Sequence, residues 1–499
     1  MKVVLVGINS KYIHTNLGVR CVAAYARQQG FDVTLLEDSI NTPILRVLDR
    51  LVAAEGDVYG FSLHIWSRRY VEELAALLYK VKPSAKLVFG GPEAGHLRIE
   101  EQGARIEGIK VIEGEGEVQF VEYLRNLINP SVGEADSSPQ KGSQDKVFDL
   151  QELPDCYPDL DEVIRDHKIV YYEASRGCPF RCSYCLSGSS HSVHRKPLDK
   201  VLQELDRFIK AQVPLVKFVD RTYNLDEDYY LPMMEHLARA ENCVTTFHFE
   251  IKVDLLSERV LQFLATVSKG RFQFEVGIQS THEPTLHAIN RTNDWPKIAE
   301  NCRRILQAGN IHLHTDLIAG LPYEGLQEWR NSFNEVFGLG AQMLQLGFLK
   351  VLPNTQMAEE IGQYGLVYMP EPPYEILQTK WLSYEDLAFL RKFDKIFDVL
   401  HNGGHFPKYF QCLLRDFATP YECFEHIVKN WPLGEAEQYN ARSVATALHL
   451  IFGDRHQKEL QEDIFEHIHN WRPDWLGWSE YTHKKLRIKG QGLAKGITR

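Results

Sequence analysis

The 499-residue chain is long enough for two to four domains and at least one large core, which excludes peptides and small disulfide scaffolds. Its 44% hydrophobic and 25% charged residues are those of a folded globular protein, not of a disordered or fibrous one. The 56 Lys plus Arg against 67 Asp plus Glu leave a net charge of −11, which argues against a general nucleic-acid coat or an anionic-membrane surface.

Residues 1–8 make one apolar strand with neither a signal-peptide core nor a cleavage site, and no apolar run reaches the roughly 18 residues of a spanning helix, so the sequence reads as cytoplasmic with no membrane partner. Residues 1–128 alternate strands at 3–6, 33–37, 58–63, 86–89 and 110–112 with helices starting near Leu17, Pro43, Arg69 and Gly116. Such alternation predicts an α/β, doubly wound, Rossmann-like sheet of parallel strands, whose ligand sits beyond the carboxyl ends of the strands. Those ends carry His14, Ser62, Gly90, Gly91, Glu93 and the run Glu113-Gly114-Glu115-Gly116-Glu117, although glycines that merely turn the chain would read the same way.

Residues 129–150 are the linker, polar and rich in Pro, Gly and Ser. A second alternation over 151–355 places strands at 169–173, 216–219, 245–251, 272–278, 312–318 and 344–351. Six strand–helix units predict a partial TIM-type (β/α)6 barrel with its chemistry at the carboxyl-terminal strand ends. Asp220, Arg221 and Asn224 cluster at one such end, as active-site groups or as a structural salt bridge and turn. From 356 to 499 the pattern is that of a helical, aromatic-rich C-terminal domain; Met369-Pro-Glu-Pro-Pro-Tyr374 within it reads as a cover for the barrel mouth or as plain packing. The basic tail from Lys484 reads as solvated.

Nine cysteines, an odd number, argue against a secreted disulfide framework, and three of them crowd into Arg176-Gly-Cys178-Pro-Phe-Arg-Cys182-Ser-Tyr184-Cys185. Soft thiolates on one short loop suit an iron–sulfur cluster or zinc, the latter with His191 or His194 as a fourth ligand. A cubane held by three cysteines keeps one iron without a protein ligand, and such an iron can bind substrate.

The spacing, with aromatic Tyr184 before the third cysteine, resembles the signature of radical S-adenosylmethionine (SAM) enzymes. The resemblance implies that Cys178, Cys182 and Cys185 hold a 4Fe-4S cluster whose open iron chelates SAM, that Tyr184 lies near the adenine, and that reductive cleavage yields a 5'-deoxyadenosyl radical. Glu250, Gln279, Arg291, Asp316 and Gly320 match positions at which the branch resembling oxygen-independent coproporphyrinogen oxidase contacts SAM or turns after the fifth strand. A doubly wound domain before such a barrel resembles the cobalamin-dependent class and extends the resemblance over residues 1 to about 355; the C-terminal region is like that of uncharacterised members. Ser62 and Gly90-Gly91 fit the cobalamin pattern, whereas the first element reads Tyr12-Ile-His14-Thr-Asn-Leu-Gly18, without the aspartate that would orient a histidine ligand.

This class implies a methyltransferase acting on an unactivated carbon of a small-molecule or peptide substrate, with reduced flavodoxin or ferredoxin as electron donor. An oxidative cyclase or rearrangement enzyme resembling anaerobic protoporphyrin ester cyclase, and a non-catalytic cobalamin or iron–sulfur sensor, are the alternatives. A methylthiotransferase is disfavoured, because the first domain carries Cys21 alone and cannot hold a second cluster.

Overall fold

A computed structural model of the chain describes residues 1–101, 104–105, 109–129, 148–189, 192–241, 244–432, 439–469 and 471–476. The linker over 130–147, His191 and the basic tail lie outside the described residues. The chain divides into two compact units, one of residues 1–275, 308–311 and 369–375, the other of 276–307, 312–368 and 376–499.

The first unit opens with β1 (Lys2–Asn9), α1 (Leu17–Gln28), β2 (Asp32–Ser39), α2 (Ile44–Ala53), β3 (Val58–Ser62), α3 (Arg68–Val81), β4 (Lys86–Gly90), β5 (Lys110–Val111) and α4 (Gly116–Ile128). The sheet order is β2-β1-β3-β4-β5, with every neighbouring pair parallel. Successive side chains of a strand point to opposite faces, so Val4, Val6 and Ile8 of β1 pack with Leu48, Leu51, Leu74 and Leu78 of α2 and α3. Val3 and Leu5 turn the other way, onto Cys21, Phe120 and Leu124 of α1 and α4. Covered on both faces, β1 is a nearly continuous hydrophobic run, as parallel strands require. The strand order reverses between β1 and β3, which places the ligand crevice at their carboxyl ends.

Within the same unit follow β6 (Val170–Tyr172), α5 (Leu198–Lys210), β7 (Leu215–Phe218), α6 (Glu227–Arg239), β8 (Thr246–Ile251) and α7 (Glu258–Leu264). β7 pairs in parallel with both β6 and β8. Tyr172, Phe208, Phe218 and Phe249 form an aromatic chain, with ring centroids 5.8 Å apart for Tyr172–Phe208 and 4.8 Å for Phe218–Phe249. By the same alternation the opposite side of these strands carries Tyr171, Lys217 and His248, which are register partners.

β9 (Phe272–Gln279) begins in the first unit and ends in the second. The second unit continues with α8 (Trp295–Ala308), β10 (His312–Ala319), α9 (Leu326–Phe337) and β11 (Met343–Phe348), and β10 pairs in parallel with β11. Six strands alternating with helices between 170 and 348 make up the order read from the sequence. The helices beyond, from Tyr384 to His467, bury an aromatic core built on Phe333, Phe393, Phe397 and Phe424.

Candidate cofactor and radical site

The carboxyl ends of β1, β3 and β4 are drawn together by backbone geometry. Leu63 N donates to Gly90 O at 2.8 Å, and Gly91 adopts φ +95°, where a Cβ would lie 2.6 Å from Leu63 O. Only glycine fits here. Ser62, Gly90 and Gly91 thus line one edge. At the next strand end Gly114 also has positive φ, and the Gln119 side chain donates to Glu113 O (2.9 Å) and Glu115 O (3.0 Å), closing the turn that starts α4.

Glu93 is placed differently from its neighbours. It is buried, accepts a 2.7 Å hydrogen bond from Tyr374 Oη, and faces the Arg68 guanidinium at 3.4 Å. Arg68 also donates to Tyr374 Oη at 2.9 Å and pairs with Glu371, which Arg98 contacts at 2.8 Å. The segment 369–375 therefore packs against α3 and the loop after β4, as part of the first unit. Of the two sequence readings of this segment, the packing is seen here: Glu371 and Tyr374 meet the buried Arg68, and Tyr374 also meets Glu93.

His14 has the orienting partner that the sequence lacked. Its Nδ1 is 2.8 Å from Tyr171 Oη, and the segment around it runs beside the first barrel strand, with Ile169 N donating to Ile13 O at 2.7 Å and Thr15 Oγ1 donating to Ile169 O at 2.8 Å. Burial, with Lys217 adding to it, lowers the His14 pKa and favours the neutral imidazole. Burial pushes the Tyr171 phenol up to about 12, so it stays a hydroxyl.

The cysteine loop hangs from a short stem, Ser175–Arg176 paired antiparallel with His194–Arg195. Gly177 at φ +102° starts it. Cys178 and Cys182 are buried, Cys185 is half-buried, and none of the three is in a disulfide. Tyr184 is half-buried in the turn where Cys185 N donates to Cys182 O at 3.0 Å. Burial raises the Cys178 pKa, and the nearby Cys185 and Cys182 add to the rise; a cation bound to the three sulfurs would reverse that preference. His194, one of the two zinc candidates, has Nε2 engaged by Ser192 Oγ at 2.7 Å. Three soft, unbridged thiols on one loop fit a cluster that keeps an open iron.

The stem is held from two sides. Asp220 at the end of β7 accepts from Ser175 Oγ (2.5 Å) and Ala174 N (3.0 Å), so this residue serves the loop structurally. Asn224 likewise bridges to Lys252, through N–H···O contacts of 2.8 and 2.9 Å. On the other side Arg176 contacts Glu173 (2.8 Å), Glu117 (2.9 Å) and Glu115 (3.2 Å). One guanidinium thereby joins the stem of the cysteine loop to the start of α4, beside Gly114.

Burial pushes the Asp220 carboxyl from 3.8 up to about 7, against the hydrogen bonds from Ser175 and Ala174. A folded-state pKa above the unfolded one means that this group's stabilisation is complete below about pH 4 and is lost as pH rises through about 7. Thermal unfolding measured across pH 4–8 is expected to show a falling component that Asp220→Asn removes; an unchanged slope in the variant would reject Asp220 as its source.

Among the residues assigned to SAM by resemblance, Glu250 lies in the first unit, half-buried near the end of β8. Burial raises its carboxyl to about 7, with Arg221 pulling it back. The others lie in the second unit. Gln279 ends β9 at φ +73°, a conformation that non-glycine residues adopt at a cost of about 1–3 kcal/mol and that concentrates at functional sites. Arg291 donates to the carbonyl of Gly277, which stands two residues before Gln279, and a Cβ on Gly277 would collide with Gln279 Nε2, so glycine there makes room for the glutamine. Asp316 lies within β10 and Gly320 follows it at φ +90°, where a Cβ would meet Ile376 Cγ2 at 2.7 Å. Gln279 and Arg291 are thus brought together around Gly277.

Sequence reading missed Tyr171, Arg176 and the Arg68–Glu93–Tyr374 network. Arg176 carried a signal, a cation immediately before Gly177-Cys178 with acidic Glu173 three residues earlier. His248, whose Nε2 is 3.0 Å from Glu275, was also legible, since it precedes Glu250 by two residues on one strand.

Comparison with known proteins agrees with this organisation. Residues 3–124 match the B12 binding domain, 172–336 the radical SAM superfamily, and 362–479 a protein family of unknown function, DUF4080. The cobalamin-dependent radical SAM methyltransferase TokK of Streptomyces tokunonensis is 28% identical over 369 residues, covering 66% of this chain and 52% of its own length. The 2-(S-pantetheinyl)-carbapenam-3-carboxylate methyltransferase of Streptantibioticus cattleyicolor is 25% identical over 409 residues, 72% of this chain and 59% of its own. The chain therefore spans little more than half the length of these relatives. In fold it is similar to the cobalamin-dependent SAM radical enzyme OxsB, solved with aqua-cobalamin and SAM (TM-score 0.66, 15% identity, 98% of this chain and 83% of that one). It is also similar to the radical SAM methyltransferase TsrM from Kitasatospora setae (TM-score 0.57, 15% identity, 72% and 76%). The cofactors of these domains are cobalamin, a 4Fe-4S cluster and SAM. No helix among the described residues is long and apolar enough to cross a membrane. The chain thus carries a B12-binding domain ahead of a radical SAM domain, an arrangement similar to that of cobalamin-dependent radical SAM enzymes.

Proposed function

We propose that the protein is a cobalamin-dependent radical SAM methyltransferase that methylates an unactivated carbon of a small-molecule or peptide substrate. The observation that carries the reading is the Arg176 junction, which ties the stem of a three-thiol loop directly to Glu115 and Glu117 at the edge of the B12-binding sheet. When bound, the cluster with SAM supplies a 5'-deoxyadenosyl radical, and cobalamin supplies a transferable methyl group.

In this reading Cys178, Cys182 and Cys185 hold the cluster, and Asp220 and Arg176 keep their loop in place. Tyr184, Glu250, Gln279, Arg291, Asp316 and Gly320 serve SAM. The cradle of cobalamin is Ser62, Gly90, Gly91, Gly114 and Glu115, with Glu93 bracing it from the buried side. Tyr171 holds the His14 ring by Nδ1, which would leave Nε2 available as a ligand to the cobalt. Electrons come from a reduced flavodoxin or ferredoxin.

The test is anaerobic reconstitution with cobalamin, SAM and dithionite. Formation of 5'-deoxyadenosine together with S-adenosylhomocysteine supports methyl transfer. 5'-Deoxyadenosine without S-adenosylhomocysteine turns the assignment towards cyclisation or rearrangement, and formation of neither rejects an enzyme.

A further inference from the structure

We propose that Cys21 and Cys156 form a reversible dithiol–disulfide pair, a redox modification site separate from the cluster thiols. Their sulfurs are 3.3 Å apart although the residues are 135 positions apart in sequence. Cys21 sits on α1 and is buried; Cys156 is half-buried on the segment that leads into the barrel. Leu17, Asp155, Lys196 and Glu204 line the same small cleft.

The surroundings hold the two sulfurs in place. Asp155 is paired with Arg207, and Lys200 donates to Gln151 O (2.8 Å) and Leu153 O (2.5 Å). Tyr157 is buried, with its hydroxyl 2.9 Å from Thr15 Oγ1 and donating to Tyr171 O at 2.9 Å. A disulfide needs an S–S separation of about 2.05 Å, so closure asks for roughly 1 Å of further approach, within reach of side-chain rotation about Cα–Cβ.

Exposure sets the order of events. Cys156, the more accessible sulfur, attacks a low-molecular-weight disulfide RSSR, forming Cys156–S–S–R and releasing one RSH. Cys21 then attacks the Cys156 sulfur, the mixed disulfide breaks and a second RSH leaves. In sum two protein thiols lose two hydrogens and two electrons, and RSSR is reduced to two RSH. The contact with Cys156, together with burial, raises the Cys21 pKa, which leaves Cys156 as the sulfur that reacts first. The bond fastens α1, immediately after the His14 segment, to the chain entering the barrel. Cross-linking so long a loop restricts the unfolded chain more than the folded one.

The test uses the full-length protein, incubated anaerobically with excess oxidised glutathione, quenched by alkylation and digested without reductant. A Cys21–Cys156 cross-linked peptide lighter by two hydrogens, lost on adding dithiothreitol and absent in Cys156→Ser, is the expected result. Cys21→Ala should instead leave Cys156 as a stable glutathione adduct. An upward shift in Tm on oxidation, present in the wild type and missing in Cys156→Ser, is expected alongside. Both cysteines fully alkylated, or a glutathione adduct on Cys156 beside a free Cys21 in the wild type, would overturn the proposal.

Discussion

Replacing Cys182 by alanine is expected to reduce iron from about four atoms per chain to near zero after anaerobic reconstitution, and 5'-deoxyadenosine formation to the uncatalysed background. Among the described residues the loop carries these three thiols, and the His194 ring nitrogen already meets Ser192. Cobalamin retention should survive, because Cys182 makes no part of the strand ends that carry Ser62, Gly90 and Gly91. Cys302→Ala is the matched control: that thiol is buried on α8, away from the cysteine loop in sequence. Iron analysis and the visible absorption of the reconstituted variants decide the point. A Cys182→Ala protein that still holds a full complement of iron would reject the ligand assignment.

Arg176→Leu should be the most damaging change away from the thiols. The guanidinium is the common partner of Glu115, Glu117 and Glu173, and Glu117 is buried. Removing one partner of a buried ion pair costs about 3–5 kcal/mol. With the Arg176 side chain 23% exposed, solvent screening brings the loss towards the lower end of that range. Arg176→Lys keeps a charge but loses the fork that reaches several carboxylates at once, so it should recover only part of the stability. Glu117→Gln added to Arg176→Leu should relieve part of the damage, because it removes the most buried of the stranded charges. Thermal unfolding of the wild type, Arg176→Leu, Glu117→Gln and the double variant forms a double-mutant cycle, and strictly additive effects would show that the two residues do not act as a pair.

Much of this architecture is written in hydrophobic periodicity. β1 reads as a buried parallel strand because Val3 to Val6 are apolar on both faces, and α1 starts where Asn16 caps it by accepting from Val19 N. The cysteine loop is legible from spacing alone. Long-range polar contacts are not, since nothing local in Tyr171 announces that its hydroxyl meets His14, 157 positions earlier. Glu93 shows the opposite failure: in sequence it stands beside Gly90-Gly91 like another cofactor residue, and only the fold shows its carboxylate turned towards Arg68 and Tyr374.

Residues 369–375 lie far along the chain from the B12-binding sheet and yet belong to its compact unit. The boundaries of heredity and of folding therefore do not coincide in this protein. A shortened chain ending after the barrel at residue 355 would strip Tyr374 from Glu93 and Arg68 and leave two buried opposite charges one hydroxyl short. Chimeras that exchange the C-terminal region between relatives should keep their cofactor domain sound only when positions 68, 93, 371 and 374 are inherited as a set.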